Sequence, residues 1–267
     1  MYTYFLKRLV RQKTMYLAIA VGALISTGYI IQDVLPFTAR SLHHSPYTKW
    51  IESMNVSSFA TLLFMLMPIL ASMAFAHIYR QDKNNNYLSM ILVKGKKKQY
   101  FTGLYLFNFI LGGITFAIPL LWNIYLCFML LPNEKTNFLL DVTQAVNYNS
   151  NDTLFPQLYY DHPFLHMLLY VMVGFLVAGI FATVALAASM YLKQIFFVWL
   201  IPFVYNYIYT TVLALFVDNG APQYMPTRFC IETGSGIQMM GVILFLVAGL
   251  VVPTGFYLWG VKKNEVL

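Results

Sequence analysis

Phe59-Ala60-Thr61-Leu62-Leu63-Phe64-Met65-Leu66-Met67-Pro68-Ile69-Leu70-Ala71-Ser72-Met73-Ala74-Phe75-Ala76 contains no charged residue and no alternation of polar with apolar positions. Lipid offers no hydrogen bonds to a backbone, so a segment crossing it must be a helix or a strand of a closed barrel. Barrel strands alternate over about ten residues. This stretch is continuously apolar, and it reads as the centre of a transmembrane helix.

Working outward, cutting the chain at every Asp, Glu, Lys and Arg leaves six uncharged runs: Thr14 to Gln32, Ser53 to Tyr79, Gln99 to Asn133, His162 to Leu192, Gln194 to Val217 and Thr233 to Val261. Each is long enough for a hydrocarbon core of about 30 Å, which takes roughly 20 residues. The composition agrees: 59% of residues are hydrophobic and 10% charged, against about 45–50% and about 25% in soluble domains. There is too little charge to coat a soluble surface. The expected fold class is an all-α membrane protein, one transmembrane domain over 1–267 with spans near 14–32, 56–79, 101–131, 164–190, 195–217 and 237–261. The first run follows Lys7, Arg8, Arg11 and Lys13 as a signal peptide would, but it is long and no Ala-x-Ala-like site precedes Asp33. It reads as a permanent span.

Charge sets the orientation. With the N-terminus inside, thirteen of the 17 Lys and Arg and two of the 10 acidic residues fall on the inner side, a net +11, leaving −4 outside. The positive-inside rule therefore places both termini in the cytoplasm. The basic balance reports topology and contact with anionic lipid, with no nucleic acid implied.

Residues 1–13 resemble an amphipathic interfacial helix, with Phe5, Leu6, Leu9 and Val10 on one face and Lys7, Arg8 and Arg11 on the other. Ordinary flanking charge for the first span is the alternative. The one substantial inner loop, 80–99, holds the apolar stretch Tyr87-Leu88-Ser89-Met90-Ile91-Leu92-Val93 before Lys94-Gly95-Lys96-Lys97-Lys98. Asp82 or an Asn of 84–86 can cap a short helix there and Gly95 can end it. Leu88, Ile91 and Leu92 would share a side, as a docking element for a partner protein or as a helix lying on anionic lipid. On the outer side, 218–232 suits a segment dipping back toward the membrane or a plain surface loop. Asn133 to Asp161 reads as a small, part-helical cap. Asn55 and Asn151 open glycosylation-type triplets.

No acidic or basic residue lies deep in any run, whereas ion coupling needs an ionisable site at membrane depth. His77 and His166 read as interfacial or hydrogen-bonded residues, and His43, His44 and His162 lack metal spacing. Gly234-Ser235-Gly236 has no histidine after it, and His166 shows no orienting partner, which argues against a serine protease. Gly95-Lys96 lacks the rest of a phosphate loop, so ATP is not bound by that device. Cys127 and Cys230 read as two free thiols, although a disulfide is conceivable. Pro68, Pro119, Pro202 and Pro253 sit inside runs, with spacings of 51 residues in each half; an inverted repeat would give this, but the halves share little else and chance is the preferred explanation. Small residues such as Gly174, Ala178, Gly179 and Ala182 mark the fourth run for close helix packing. Uncharged polar residues within runs, namely Asn108, Asn123, Tyr205, Asn206, Tyr209 and Thr210, can line a translocation path or bond neighbouring helices.

Taken together, positions 1–13, the six runs and the 80–99 loop resemble the ABC-2-type permeases, the membrane subunits of bacterial ATP-binding-cassette exporters. The most specific stretch is Asp82, the short helix 88–93, the basic cluster Lys94 to Lys98 with Tyr100, Gly112-Gly113 and Pro119. Asn84 to Asn86 and Gly103 depart from the family's usual residues. The resemblance implies a non-enzymatic permease subunit in a bacterial plasma membrane, working with a second copy or a related permease. ATP and Mg would be held by separate cytoplasmic ATPase subunits, with no cofactor in this chain. Asp82, Tyr87, Leu88, Ile91, Leu92 and Lys94 would form the ATPase-coupling element, and the cargo would be a hydrophobic or amphipathic peptide, antibiotic or lipid, as in bacteriocin immunity. A membrane anchor or sensor, and an ion-coupled secondary transporter, are the alternatives.

Overall fold

The order of apolar and charged segments becomes thirteen helices in a computed structural model that describes residues 2–38, 44–53, 57–93, 97–135, 153–216, 224–232, 237 and 239–265. A short helix α1 (Tyr2–Val10) turns at Arg11-Gln12 into α2 (Lys13–Tyr29). That helix continues through a π-helical turn, Ile30–Val34, into α3 (Leu35–Thr38). After the single turn α4 (Pro46–Lys49), Ser57 caps α5 (Ser58–Phe75) by accepting from the Phe59 amide, satisfying one of the donors a helix start leaves free. A two-residue break at Ala76-His77 leads to α6 (Ile78–Asn84), then α7 (Tyr87–Val93) and the long α8 (Lys97–Leu130). The second half comprises α9 (Pro156–Asp161), α10 (Pro163–Ser189), α11 (Ile195–Phe216), α12 (Pro226–Phe229) and α13 (Met239–Glu265).

Six of these helical segments are long and apolar enough to cross a membrane: α2 with its π turn, α5–α6, α8, α10, α11 and α13, each with a window of mean hydropathy between 1.5 and 2.4. The chain is a multi-pass membrane protein. Successive crossings bring α1 and the end of α13 to one end of the bundle, where Phe5 and Val261 share a hydrophobic cluster. We call this the basic end and the opposite one the cap end.

Pro68, Pro119, Pro202 and Pro253 all sit inside helices that continue past them. Neighbouring polar groups take up the backbone carbonyls at such places. The carbonyl of Pro119 itself accepts from the buried Ser26 hydroxyl at 3.1 Å, a bond that ties α2 to α8 beside the proline.

The core is built on α10, with 72% of its most apolar window buried, against 11% for α11. Helix α10 packs along α8, with α5, α11 and α13 around it. Its small residues allow this. A Cβ added at Gly112 would lie 2.3 Å from the Cβ of Ala182, and one at Gly179 would lie 2.7 Å from the Phe109 ring. Asn108 donates to the Ala182 carbonyl at 2.7 Å across the same contact.

Two boundaries differ from the sequence reading. The second crossing continues as helix to Asn84, past Arg80 and Asp82, because Asp82 finds partners inside the protein. The third begins at Lys97, so 80–99 is two short helices and the start of a third, with 94–96 outside the described residues. The elbow between α6 and α7 is Asn86, at φ 57°, a left-handed conformation that asparagine tolerates better than most residues.

Gly112→Leu would drive a side chain into Ala182 and is expected to destabilise by about 1–3 kcal/mol. Gly255, whose added Cβ meets nothing within 4 Å, should accept alanine without loss. Thermal midpoints in detergent, measured on both variants, check this contrast.

Candidate functional site

Asp82 is the hub of the basic end. The residue is buried. Its Oδ2 accepts from the Tyr100 hydroxyl at 2.6 Å, its Oδ1 from the Tyr4 hydroxyl at 3.2 Å, and Arg8 closes an ion pair with it. Arg8 also donates to Gln81 at 3.0 Å. Burial, followed by the Asp82 charge, pushes the Tyr4 phenol above its ordinary range. A buried carboxylate needs this much compensation, and it fixes α1 against the junction of α6 and α8. Below the polar hub, Phe5 contacts the rings of Phe75, Tyr100 and Phe107. Gly103 leaves room for it, since a Cβ there would lie 2.7 Å from the Phe5 ring. Phe5 is therefore buried while Leu6 is exposed, so the apolar face of α1 turns into the bundle at Phe5.

Helix α7 projects from this mount with two unlike faces. Leu88 and Ile91 are buried against the bundle, and Tyr87 stacks on Tyr4 with ring centroids 4.9 Å apart. Met90 and Val93, three residues apart on the other face, are 62% and 88% exposed. Of the residues predicted for coupling, Asp82, Tyr87, Leu88 and Ile91 thus face the protein itself. The Leu92 side chain and Lys94 lie outside the described residues.

The predicted path residues fall into two groups. Asn108 and Asn123 are buried on α8. Asn123 accepts from the Ile51 amide at 2.9 Å and donates to the Ser26 carbonyl at 3.4 Å, so it ties three segments together. On α11, Tyr205 and Tyr209 stack at 6.3 Å, Tyr209 donates to the Tyr224 carbonyl, and Thr210 bonds back to the Asn206 carbonyl. Neither of two clefts among the described residues brings the two groups together. Tyr205 borders an apolar pocket of about 210 Å³ with Val184, Ala187, Pro253 and Phe256. A larger cleft of about 460 Å³ opens between α8 and α13 at the basic end, with Lys97 and Lys98 at its rim and Phe101, Tyr105, Tyr257 and Leu258 along it.

The cap end holds a polar cluster that sequence reasoning did not assemble. Glu52 and Glu232 are 0% and 1% exposed. The Glu232 amide donates to the Glu52 carbonyl at 2.7 Å. Glu232 Oε1 lies 2.7 Å from His166 Nδ1, and Trp50 Nε1 donates to Oε2. So His166 does have an orienting partner, supplied from the far side of the sequence. The segment 224–232, with α12 inside it, packs into this end, and Cys230 is buried there. Cys127 and Cys230 are both free thiols. Residues 217–223 and 233–236, which include the Gly234-Ser235-Gly236 triplet, lie outside the described residues, as do Asn55 and Asn151. The signal in the sequence was faint: Glu52 and Glu232 are single acids flanked by Trp50-Ile51 and Cys230-Ile231.

Asp82→Ala would leave the Arg8 guanidinium and two tyrosine hydroxyls without their acceptor. A loss of about 3 kcal/mol is expected, with release of α1, read as a lower thermal midpoint and new proteolytic cleavage before residue 13. Comparison with protein-family models, with characterised proteins and with solved structures finds no match to this chain.

Proposed function

We propose that this chain is the membrane-spanning subunit of an ATP-driven exporter in a bacterial plasma membrane, with its basic end in the cytoplasm. The observation that carries the reading is the α7 mount: an apolar face, Met90 and Val93, exposed on a short helix whose other face is packed into the bundle. A partner that grips this face pulls directly on the second and third crossings, because Asp82, Tyr4, Arg8 and Tyr100 bind the junction together. Separate ATPase subunits, holding ATP and Mg, are that partner. Their closure on nucleotide shifts the spans between two arrangements, favouring the one they bind more tightly.

The sparse burial of α11 and α13 supports pairing with a second copy or a related permease, with membrane lipid on the remaining faces. The cleft between α8 and α13, cationic at its rim and aromatic within, suits a hydrophobic or amphipathic cargo such as a peptide, an antibiotic or a lipid. A second reading, an ion-coupled transporter without an ATPase, draws support from the ionisable cluster at the cap end.

The docking face is reassigned from Leu88 and Ile91 to Met90 and Val93, and this distinguishes the outcomes. Burying two such side chains is worth about 1.5–3 kcal/mol each. The double variant Met90→Asp with Val93→Asp should therefore weaken ATPase binding at least about tenfold while the protein stays folded. Leu88→Asp should instead lower the thermal midpoint. Purification from the native host without any ATPase, or ATPase retention indifferent to the double variant, would overturn the proposal.

A further inference from the structure

Glu52 is enclosed at the cap end, and among the described residues neither of its carboxylate oxygens has a hydrogen-bond partner. An ionised carboxylate in that setting would carry a desolvation penalty of several kcal/mol with nothing to offset it. Glu232 is tied to the same residue by the 2.7 Å backbone bond, and its carboxyl is close enough to act electrostatically on that of Glu52. Two adjacent buried carboxyls do not both ionise readily.

Hydrogen-bond geometry at His166 counts a further proton. Its Nε2 lies 2.7 Å from the carbonyl oxygen of Leu154, which can only accept, so Nε2 carries a hydrogen. Its Nδ1 lies 2.7 Å from Glu232 Oε1. The two atoms of that second contact cannot both be bare: one proton sits between them, on the imidazole or on the carboxyl. Trp50 Nε1 occupies the other Glu232 oxygen as a donor.

We propose that Glu52, Glu232 and His166 form a proton-binding site, holding one proton on Glu52 and one in the His166–Glu232 contact, which fastens the segment 224–232 onto 50–53. A proton suits this cluster better than a metal ion. Among the described residues, no group of three or more His, Cys, Asp or Glu is arranged to hold one.

The surroundings support neutral carboxyls. Tyr170, from α10, bonds to Thr153 and to the Leu154 amide. The Tyr159 ring meets His166 edge-on at 5.3 Å. Cys127 of α8 points its thiol toward the Lys49 carbonyl and Asn123. Asp33 acts electrostatically on Lys49. Burial, then the neighbouring Glu232, pushes the Glu52 carboxyl well above its usual range. Burial raises Glu232 too, with His166 and Trp50 pulling it partway back, and burial together with Glu52 lifts the Cys230 thiol. For carboxyls raised on folding, the stabilising contribution is complete below the ordinary carboxylate range. It is lost as pH climbs through the raised values. The cap is therefore tightest in acid and loosens in alkali.

Infrared spectroscopy of the purified full chain tests this. At neutral pH a carboxylic-acid carbonyl band is expected, and it should diminish in Glu52→Gln, while Glu134→Gln at an exposed position leaves it unchanged. Because glutamine copies the shape of a neutral glutamic acid, Glu52→Gln should match the wild type in thermal midpoint near pH 5. It should exceed the wild type by several degrees near pH 9. A wild-type spectrum without the band overturns the site before any variant is made. So does a band indifferent to Glu52→Gln, or a variant less stable than the wild type at every pH. The readouts concern the cap end alone, so they stand or fall separately from ATPase docking at α7.

Discussion

The contact between α8 and α10 is the constraint on which the rest of the molecule depends. Lipid tails are as apolar as the side chains they surround, so greasy surfaces alone give helices little reason to associate. Close approach and interhelical hydrogen bonds must do so instead. Gly112 against Ala182, Gly179 under Phe109 and the Asn108 amide on the Ala182 carbonyl supply both within a few turns. With that pair fixed, α2 and α5 pack on α8, while α13 lies against α10 and α11 against α5 and α10, both with most of their surfaces uncovered. The result is a dense four-helix centre with two lightly held helices beside it. Such a division gives relative movement a natural place, because a lightly packed helix has fewer contacts to exchange.

The two ends of the bundle solve the burial of acids in opposite ways. At the basic end Asp82 keeps its charge company, with a guanidinium and two phenols around it. At the cap end no described residue donates to the Glu52 carboxyl, and that of Glu232 meets a histidine and an indole. One acid is matched by charge and the other pair by proton uptake. That difference separates a permanent tie from a condition-dependent one.

Much of the architecture was legible from charge spacing. Six uncharged runs became six membrane-length helices, since hydrophobic length is a property of the local sequence. The small residues of the fourth run likewise announced close packing. Side-chain partnership across the chain was far less legible. Asp82 read as a helix cap or a docking residue, because Tyr4 and Arg8 are more than seventy positions away. The inward turn of Leu88 and Ile91 depended on which way a seven-residue helix rolls against its mount, and periodicity cannot supply that. Glu52, His166 and Glu232 were hardest of all. Each is a lone polar residue at the edge of an apolar run, and only the fold brings together three that are up to 180 positions apart.

The docking of Phe5 beside Tyr100 carries a consequence for how the chain is made. Translation runs at about 5–20 residues per second, so roughly 5–20 s separate the emergence of α1 from that of its binding pocket. During that interval Phe5 has nowhere to go within the protein. The basic residues Lys7, Arg8 and Arg11 give α1 a resting place on anionic lipid meanwhile. The N-terminal helix thus acts as a latch that engages only once three crossings have been inserted, and the nascent chain stays unfastened until then.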